Sequence, residues 1–166
     1  MHDTTTKKGA IIFSYDNGSL FNDVSLLSAY MVKNMKIAEG SALDEYSISK
    51  DEQDIFNECL KQTLPDLYET VIQFVPCGDG AFSDGLSGEG KIKISVKNNN
   101  AYNVNVLTLV DATIYECLKQ GILSKFYSIC VNDALFSIAN GRYAANVNQL
   151  KQRLFQLRKK SISSQI

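Results

Sequence analysis

Three stretches of this chain carry residue types at spacings that chemistry can use. GLSGEGK, Gly85 to Lys91, has the G-x4-G-K spacing of a phosphate-binding loop, in which backbone N–H groups cradle phosphates and the lysine reaches the outer ones. Such a loop needs a strand before it, a helix after it and a Ser or Thr to hold magnesium. Here a glycine-rich coil precedes it, Ile92 stands in place of the hydroxyl residue, and the strand pattern KIKISVK follows. The stretch therefore reads as a glycine-rich loop and not as a nucleotide site. Asp79, Ser83, Asp84 and Glu89 offer oxygens of the kind calcium takes, but they miss the EF-hand spacing, and acidic glycine-rich loops are commonly just solvated. Lys151, Arg153, Arg158, Lys159 and Lys160 make the C-terminal end basic. No aromatic residues are interleaved in the way base stacking requires, and cations also suit the negative end of a helix dipole. A solvated face or a protein contact fits that cluster better than DNA.

The lone histidine excludes more than any motif suggests. His2 is the single imidazole, so Cys-His and Ser-His-Asp sites and most zinc sites are not available. Cys59, Cys77, Cys117 and Cys130 form no CxxC pair. Three of them fall on or near apolar stripes, where a thiol packs as a small hydrophobe, and Cys77 sits in a Pro- and Gly-rich turn. They read as reduced thiols in a reducing compartment. No enzymatic activity and no cofactor is expected.

The elements that must position these residues are mostly helical. Ser49 to Phe74 places Ile55, Phe56, Cys59, Leu60, Leu64, Leu67, Tyr68, Val71 and Ile72 at helical spacing. Ser49 and Glu52 form a capping box at its start. The apolar stripe keeps its phase across Pro65, which predicts one kinked helix, the element around which the chain is organised. A first helix is expected from Leu20 to about Asn34, with Leu20, Phe21, Val24, Leu27, Tyr30 and Met31 inward, capped by Ser19 or Asn22. Asp16 to Ser19 reads as a turn. Lys36 to Ile48 is a connector in which Leu43, Tyr46 and Ile48 act as anchors.

Gly9 to Tyr15 and Lys91 to Lys97 read as short strands, the second pairing with the first or with Val104-Asn105-Val106. From about Val104 the period is helical, with Leu107, Val110, Ile114, Cys117, Leu118, Ile122, Phe126 and Ile129 on one stripe. Asn132 and Asp133 break it and cap a last helix carrying Leu135, Ile138, Tyr143, Val147, Leu150, Leu154 and Leu157. Residues 1–8 read as disordered.

The fold class is mainly α: about four helices in a bundle, a small β-strand pair and a glycine-rich loop. The 166 residues form one domain, long enough to bury about 70% of its unfolded surface. Residues 1–18 are an N-terminal extension, 78–90 a mobile loop and 159–166 a tail. Apolar content of 45% and charged content of 21% are ordinary for a globular protein. A net charge of −1 gives no whole-molecule argument for nucleic acid or a membrane surface. No apolar run approaches a membrane span, and MHDTTTKKGAIIFSYD lacks the pattern of a signal peptide.

Taken together, the stretch LFNDVSLLSAYMVKNMKIAEGSALDEYSISKDEQDIFNECLKQTLPDLYETVIQF resembles the front half of the head–tail connector, or neck ring, proteins of tailed bacteriophages, particularly those of the crAss-like group. There a short helix leads through an "EG" connector, here Glu39-Gly40, into a capped "DEQ" helix, here Asp51-Glu52-Gln53. A long helix, here LVDATIYECLKQGILSKFYS, and a basic closing segment, here LKQRLFQLRKK, follow. The resemblance implies a structural virion protein, assembled in the host cytoplasm, that forms a ring in the neck between portal and tail and contributes to tail attachment and the DNA channel. Its partners would be further copies of itself following the portal's twelvefold symmetry, the portal protein, and other neck ring or tail proteins. DNA would be a non-specific neighbour, and no membrane is involved. Asp79, Phe82, Asp84, Lys91, Lys93, Lys151, Arg153, Arg158, Lys159 and Lys160 are the candidate subunit or partner contacts. Two other readings are a small cytoplasmic helical binding or regulatory module, and an enzyme using carboxylates or a cysteine of the 78–90 loop. The isolated His2 argues against the enzyme.

Overall fold

The burial pattern of one helix sets the architecture. The computed structural model describes residues 2–7, 10–33, 47–74, 81–83, 91–97 and 104–158. In chain order these form β1 (His2–Lys7), β2 (Ala10–Asp16), α1 (Asn17–Lys33), α2 (Gln53–Phe74), β3 (Ala81–Ser83), β4 (Lys91–Lys97), α3 (Val104–Ile129) and α4 (Asp133–Arg158). The fold is mainly helical, as the periodicity predicts. The central element is α3 and not α2. Val110, Ile114, Cys117, Leu118, Ile122 and Leu123 are fully buried, and Asp111, Thr113, Gln120 and Ser124 are buried beside them. So many turns buried on more than one face require neighbours on several sides. Helices α1, α2 and α4 and strand β1 all pack against α3.

Of the two partners open to KIKISVK, the structure takes GAIIFSY: β2 pairs with β4, antiparallel, Phe13 opposite Ile94 and Tyr15 opposite Ile92, while Val104 to Val106 begin α3. It is the middle of a larger sheet, ordered β1-β2-β4-β3. Alternation puts Ile11, Phe13, Tyr15, Ile92 and Ile94 on the buried face. Residues 2–7, expected to be disordered, instead form β1, with Thr4 opposite Phe13. A run of threonines has strand propensity without an apolar signature, and only the neighbouring β2 gives it a ladder to join. Within the 78–90 loop, Ala81–Ser83 pair with β4 as β3. The rest of that loop lies outside the described residues, as do Leu43, Tyr46, Cys77 and the 159–166 tail.

Asp16 to Ser19, read as a turn, is instead the junction of β2 with the first turn of α1. β2 runs straight into α1, and Asp16 is the cap: its Oδ2 accepts from the Ser19 N–H and Oγ, each at 2.9 Å. Turn formers and caps are the same residue types because both satisfy loose backbone donors with a short side chain. At the start of α2, Glu52 accepts from the Ser49 N–H at 2.7 Å, the reach-back half of the capping box. The helix passes through Pro65 unbroken. Ile48 is the anchor predicted for the connector, 1% exposed. Its carbonyl accepts from Ser25 Oγ at 2.5 Å and its N–H donates to Ser28 Oγ at 3.0 Å.

The α3–α4 junction is a Schellman motif. Asn132 N–H reaches Tyr127 O at 3.1 Å, Val131 N–H reaches Ser128 O at 3.3 Å, and Val131 holds the left-handed position at φ 54°. Asn132, as predicted, caps α4 through the Leu135 N–H at 3.0 Å. A β-branched residue in left-handed backbone is strained.

Gly121 and Gly141 are both helical and have opposite surroundings. A Cβ on Gly121 would stand 2.5 Å from Thr63 Cγ2 and 3.1 Å from the Tyr143 ring, whereas one on Gly141 meets nothing within 4 Å. Thr63 cannot easily rotate away, because its hydroxyl donates to Cys59 O at 2.8 Å. Gly121→Ala should cost about 1–3 kcal/mol by overpacking, against the usual helix preference. Gly141→Ala and Val131→Gly should each gain about 1 kcal/mol. Urea unfolding midpoints of the three variants check the signs; a Gly121→Ala protein as stable as Gly141→Ala would contradict the close approach.

Candidate functional site

The residues expected to make contacts fall into two groups, both tied to the first half of α3. On the sheet, Lys91 and Lys93 are exposed at alternate positions of β4, with Ile92 and Ile94 buried between them. Lys91 lies opposite Asp16, and Lys93 between Ser14 and Ser83. Phe82 occupies the register position opposite Ile94. At the end of α4, Lys151 is half-buried. Arg153 is not a free contact residue. Its guanidinium donates to Thr113 Oγ1 and, at 3.3 Å, to Leu109 O, clamping α4 to α3. Arg158 ends α4, while Asp79, Asp84, Lys159 and Lys160 lie outside the described residues.

Sequence reading missed the main polar constellation. Tyr15, wholly buried, places its hydroxyl 2.8 Å from Asp111 Oδ1 and 3.0 Å from Asp111 O. Its ring stacks on Tyr115, centroids 5.7 Å apart, and the Tyr115 hydroxyl donates to Asp23 Oδ2. Lys119 lies over the Tyr115 ring at 5.2 Å and pairs with Glu116 at 2.7 Å. β2, α1 and α3 are thus joined by one chain of polar contacts. The signal in the sequence is Asp111 itself, the lone acid in VNVLTLVDATIY, since a buried acid must find a donor.

That constellation is a tie and not an acid–base pair. A tyrosine that works as a base or nucleophile needs its pKa brought down. Burial, and then the adjacent Asp111 charge, push Tyr15 well above the ordinary phenol range. Burial likewise raises Tyr115, helped by its bond to Asp23. The thiols move the same way: burial lifts Cys59 to about 11 and Cys117 to about 12, far from the thiolate that reacts. Both thiols are buried, and Cys130 is half-buried. Among the described residues no group of three His, Cys, Asp or Glu could hold a metal, and no helix is long and apolar enough to cross a membrane.

The described surface instead presents large apolar side chains. Leu26 and Tyr30, one turn apart on α1, are 60% and 55% exposed. Ile129 and Val131 at the α3–α4 turn and Ile138 early in α4 are exposed, Val131 at 80%, and Leu109 and Phe155 are half-exposed further along the same helix pair. The helical stripes predict Tyr30, Ile129 and Ile138 to be inward. They mark stripe edges, where 3.6-residue periodicity drifts off a straight contact line. Comparison of the chain with protein-family models, with curated proteins and with solved structures finds no match.

Buried phenols and thiols with raised pKa values make the fold sensitive to alkali. The protonated forms are the ones the fold tolerates, so this stability is complete below the unfolded-state pKa and is lost as pH rises toward the folded one. The window opens at pH about 9 for Cys59 and Cys117 and about 10 for the tyrosines, Tyr143 reaching about 12. Tyr127 is fully buried, its hydroxyl has no hydrogen-bond partner, and burial pushes its pKa up. Tyr127→Phe should therefore stabilise by about 1 kcal/mol at neutral pH. It should also flatten the fall in stability above pH 10 by up to about 1.4 kcal/mol per pH unit. Denaturant unfolding at pH 7, 10 and 11 reads both effects; equal slopes for the two proteins would show that Tyr127 ionises normally.

Proposed function

We propose that this chain is a non-enzymatic structural subunit of a phage neck, forming a ring between portal and tail. The observation that carries the reading is how its chemistry is deployed. The polar groups described inside the fold join one element to another: Tyr15 to Asp111, Arg153 to Thr113, Ser28 to Ile48. Large apolar groups such as Leu26, Tyr30, Ile129, Val131 and Ile138 are left at the surface. Subunits of permanent assemblies need a stiff body and apolar side chains at the surface through which to meet. The sequence pattern running from the first helix through the capped DEQ helix to the basic end supports the same assignment.

In this reading the basic end of α4 and the lysine-bearing face of β4 meet neighbouring subunits or adjacent neck proteins, and any DNA in the channel is a non-specific neighbour. Negative-stain electron microscopy of the purified protein, alone and mixed with portal rings, tests it. Rings, or a collar added to the portal, are expected. Dispersed particles under both conditions would favour a helical binding module instead.

A further inference from the structure

We infer that two copies of this chain exchange α4 through the α3–α4 turn, which straightens in each so that α3 and α4 become one helix. Three residues, Cys130 to Asn132, join the two helices, and none is proline or glycine. Short connections under strain are where such exchange begins. The strain here is at Val131, a β-branched residue at φ 54°, and a helical backbone would relieve it.

Straightening costs no hydrogen bond seen in the turn. Val131 N–H now donates to Ser128 O and Asn132 N–H to Tyr127 O. In a continuous helix the two amides trade these acceptors, each reaching back four residues. Leu135 N–H likewise leaves the Asn132 side chain for the Val131 carbonyl. On either side, Cys130 N–H and Phe136 N–H already hold their helical acceptors, Phe126 O and Asn132 O.

What straightening costs is burial, and that names the partner. Among the described elements α3 and α4 form the most extensive packed pair, so a chain opened alone would uncover Leu135, Leu150, Leu154 and Leu157. The piece that fits the bared face is another α4, bringing Tyr143 to Gly121 and Arg153 to Thr113. A second copy opened in the same way supplies it and receives the first copy's α4 in return. The contacts of α4 are then remade between chains, and the strain is relieved twice. A new contact arises at the hinge. Val131, Ala134 and Ile138, all exposed, fall at i, i+3 and i+7 of the continuous helix. They form an apolar line where the two straightened turns meet about the two-fold axis.

The exchange does not rest on the neck reading: a ring whose subunits each keep their own α4 would uphold that reading and overturn this one. The full chain, refolded from urea at about 0.1 mM, should give a dimer that size exclusion separates from monomer. Ser124 Oγ of α3 lies 3.4 Å from Asn140 Oδ1 of α4, so Ser124→Cys combined with Asn140→Cys reports which chain supplies α4. Oxidised with diamide and run on a denaturing gel, the dimer fraction should be covalently linked and the monomer fraction should not. The hinge gives a second readout. Val131→Gly should weaken the dimer about tenfold, since glycine holds the left-handed position freely and disfavours helix. Val131→Ala should strengthen it about threefold, because alanine shares the left-handed penalty and favours helix. Circular dichroism matching the parent establishes that each variant is folded. Monomer alone in both the parent and Val131→Ala, a dimer whose disulfides close within each chain, or equal weakening by glycine and alanine would each overturn the exchange. The last result is what a simple apolar contact through Val131 gives.

Discussion

The close approach at Gly121 is the constraint on which the rest of this fold depends. One side chain is missing from the middle of α3, and Thr63 of α2 and Tyr143 of α4 fill the space. Three helices therefore meet at a point where any Cβ would hold them apart. Packed interiors do not absorb such a gap gradually, so the spacing at this junction sets where Cys59, Leu60 and Leu64 of α2 and Leu135 and Ala139 of α4 enter the core. All of these are buried to 1% exposure or less. The hydrogen bond from Thr63 Oγ1 to Cys59 O fixes the methyl that faces the glycine.

The rest of the structure attaches to α3 by polar ties at its ends. Toward its start, Asp111 takes the Tyr15 hydroxyl and so holds the sheet, while Thr113 and the Leu109 carbonyl take Arg153 and hold the far end of α4. Toward its finish, Ser124 Oγ lies 3.4 Å from Asn140 Oδ1. A buried hydrogen bond adds only about 1 kcal/mol net, but a buried polar group left unpaired costs more. These contacts therefore select one arrangement of sheet and helices more than they stabilise it. Phenols and thiols held in their neutral forms by burial suit this role.

Strain and exposure coincide at the α3–α4 turn. Val131 holds a left-handed backbone that glycine would adopt freely, and it is 80% exposed between Ile129 and Ile138. Backbone strain persists where the surrounding structure over-determines it, and here the hydrogen bonds of the Schellman turn do so.

Much of this was determined by the sequence by itself. Apolar period fixed all four helices and the two strands β2 and β4, because period 3.6 and period 2 are local properties of a chain, but that they pair with each other was decided by the fold. The Asn132 cap, the Ser49–Glu52 box and the Ile48 anchor were legible from short-range donor and acceptor chemistry. Tertiary structure decided what depends on distant neighbours. Residues 2–7 became a strand only because β2 offers them a ladder, and Asp16 became a cap only because β2 leads straight into α1. Arg153 left the surface because Thr113 lies across the helix pair, and Ile129, Ile138 and Tyr30 turned outward at the edges of their stripes. α3 displaced α2 as the centre because centrality is counted in neighbours, and a stripe in the sequence shows which face is apolar but not how many partners cover it.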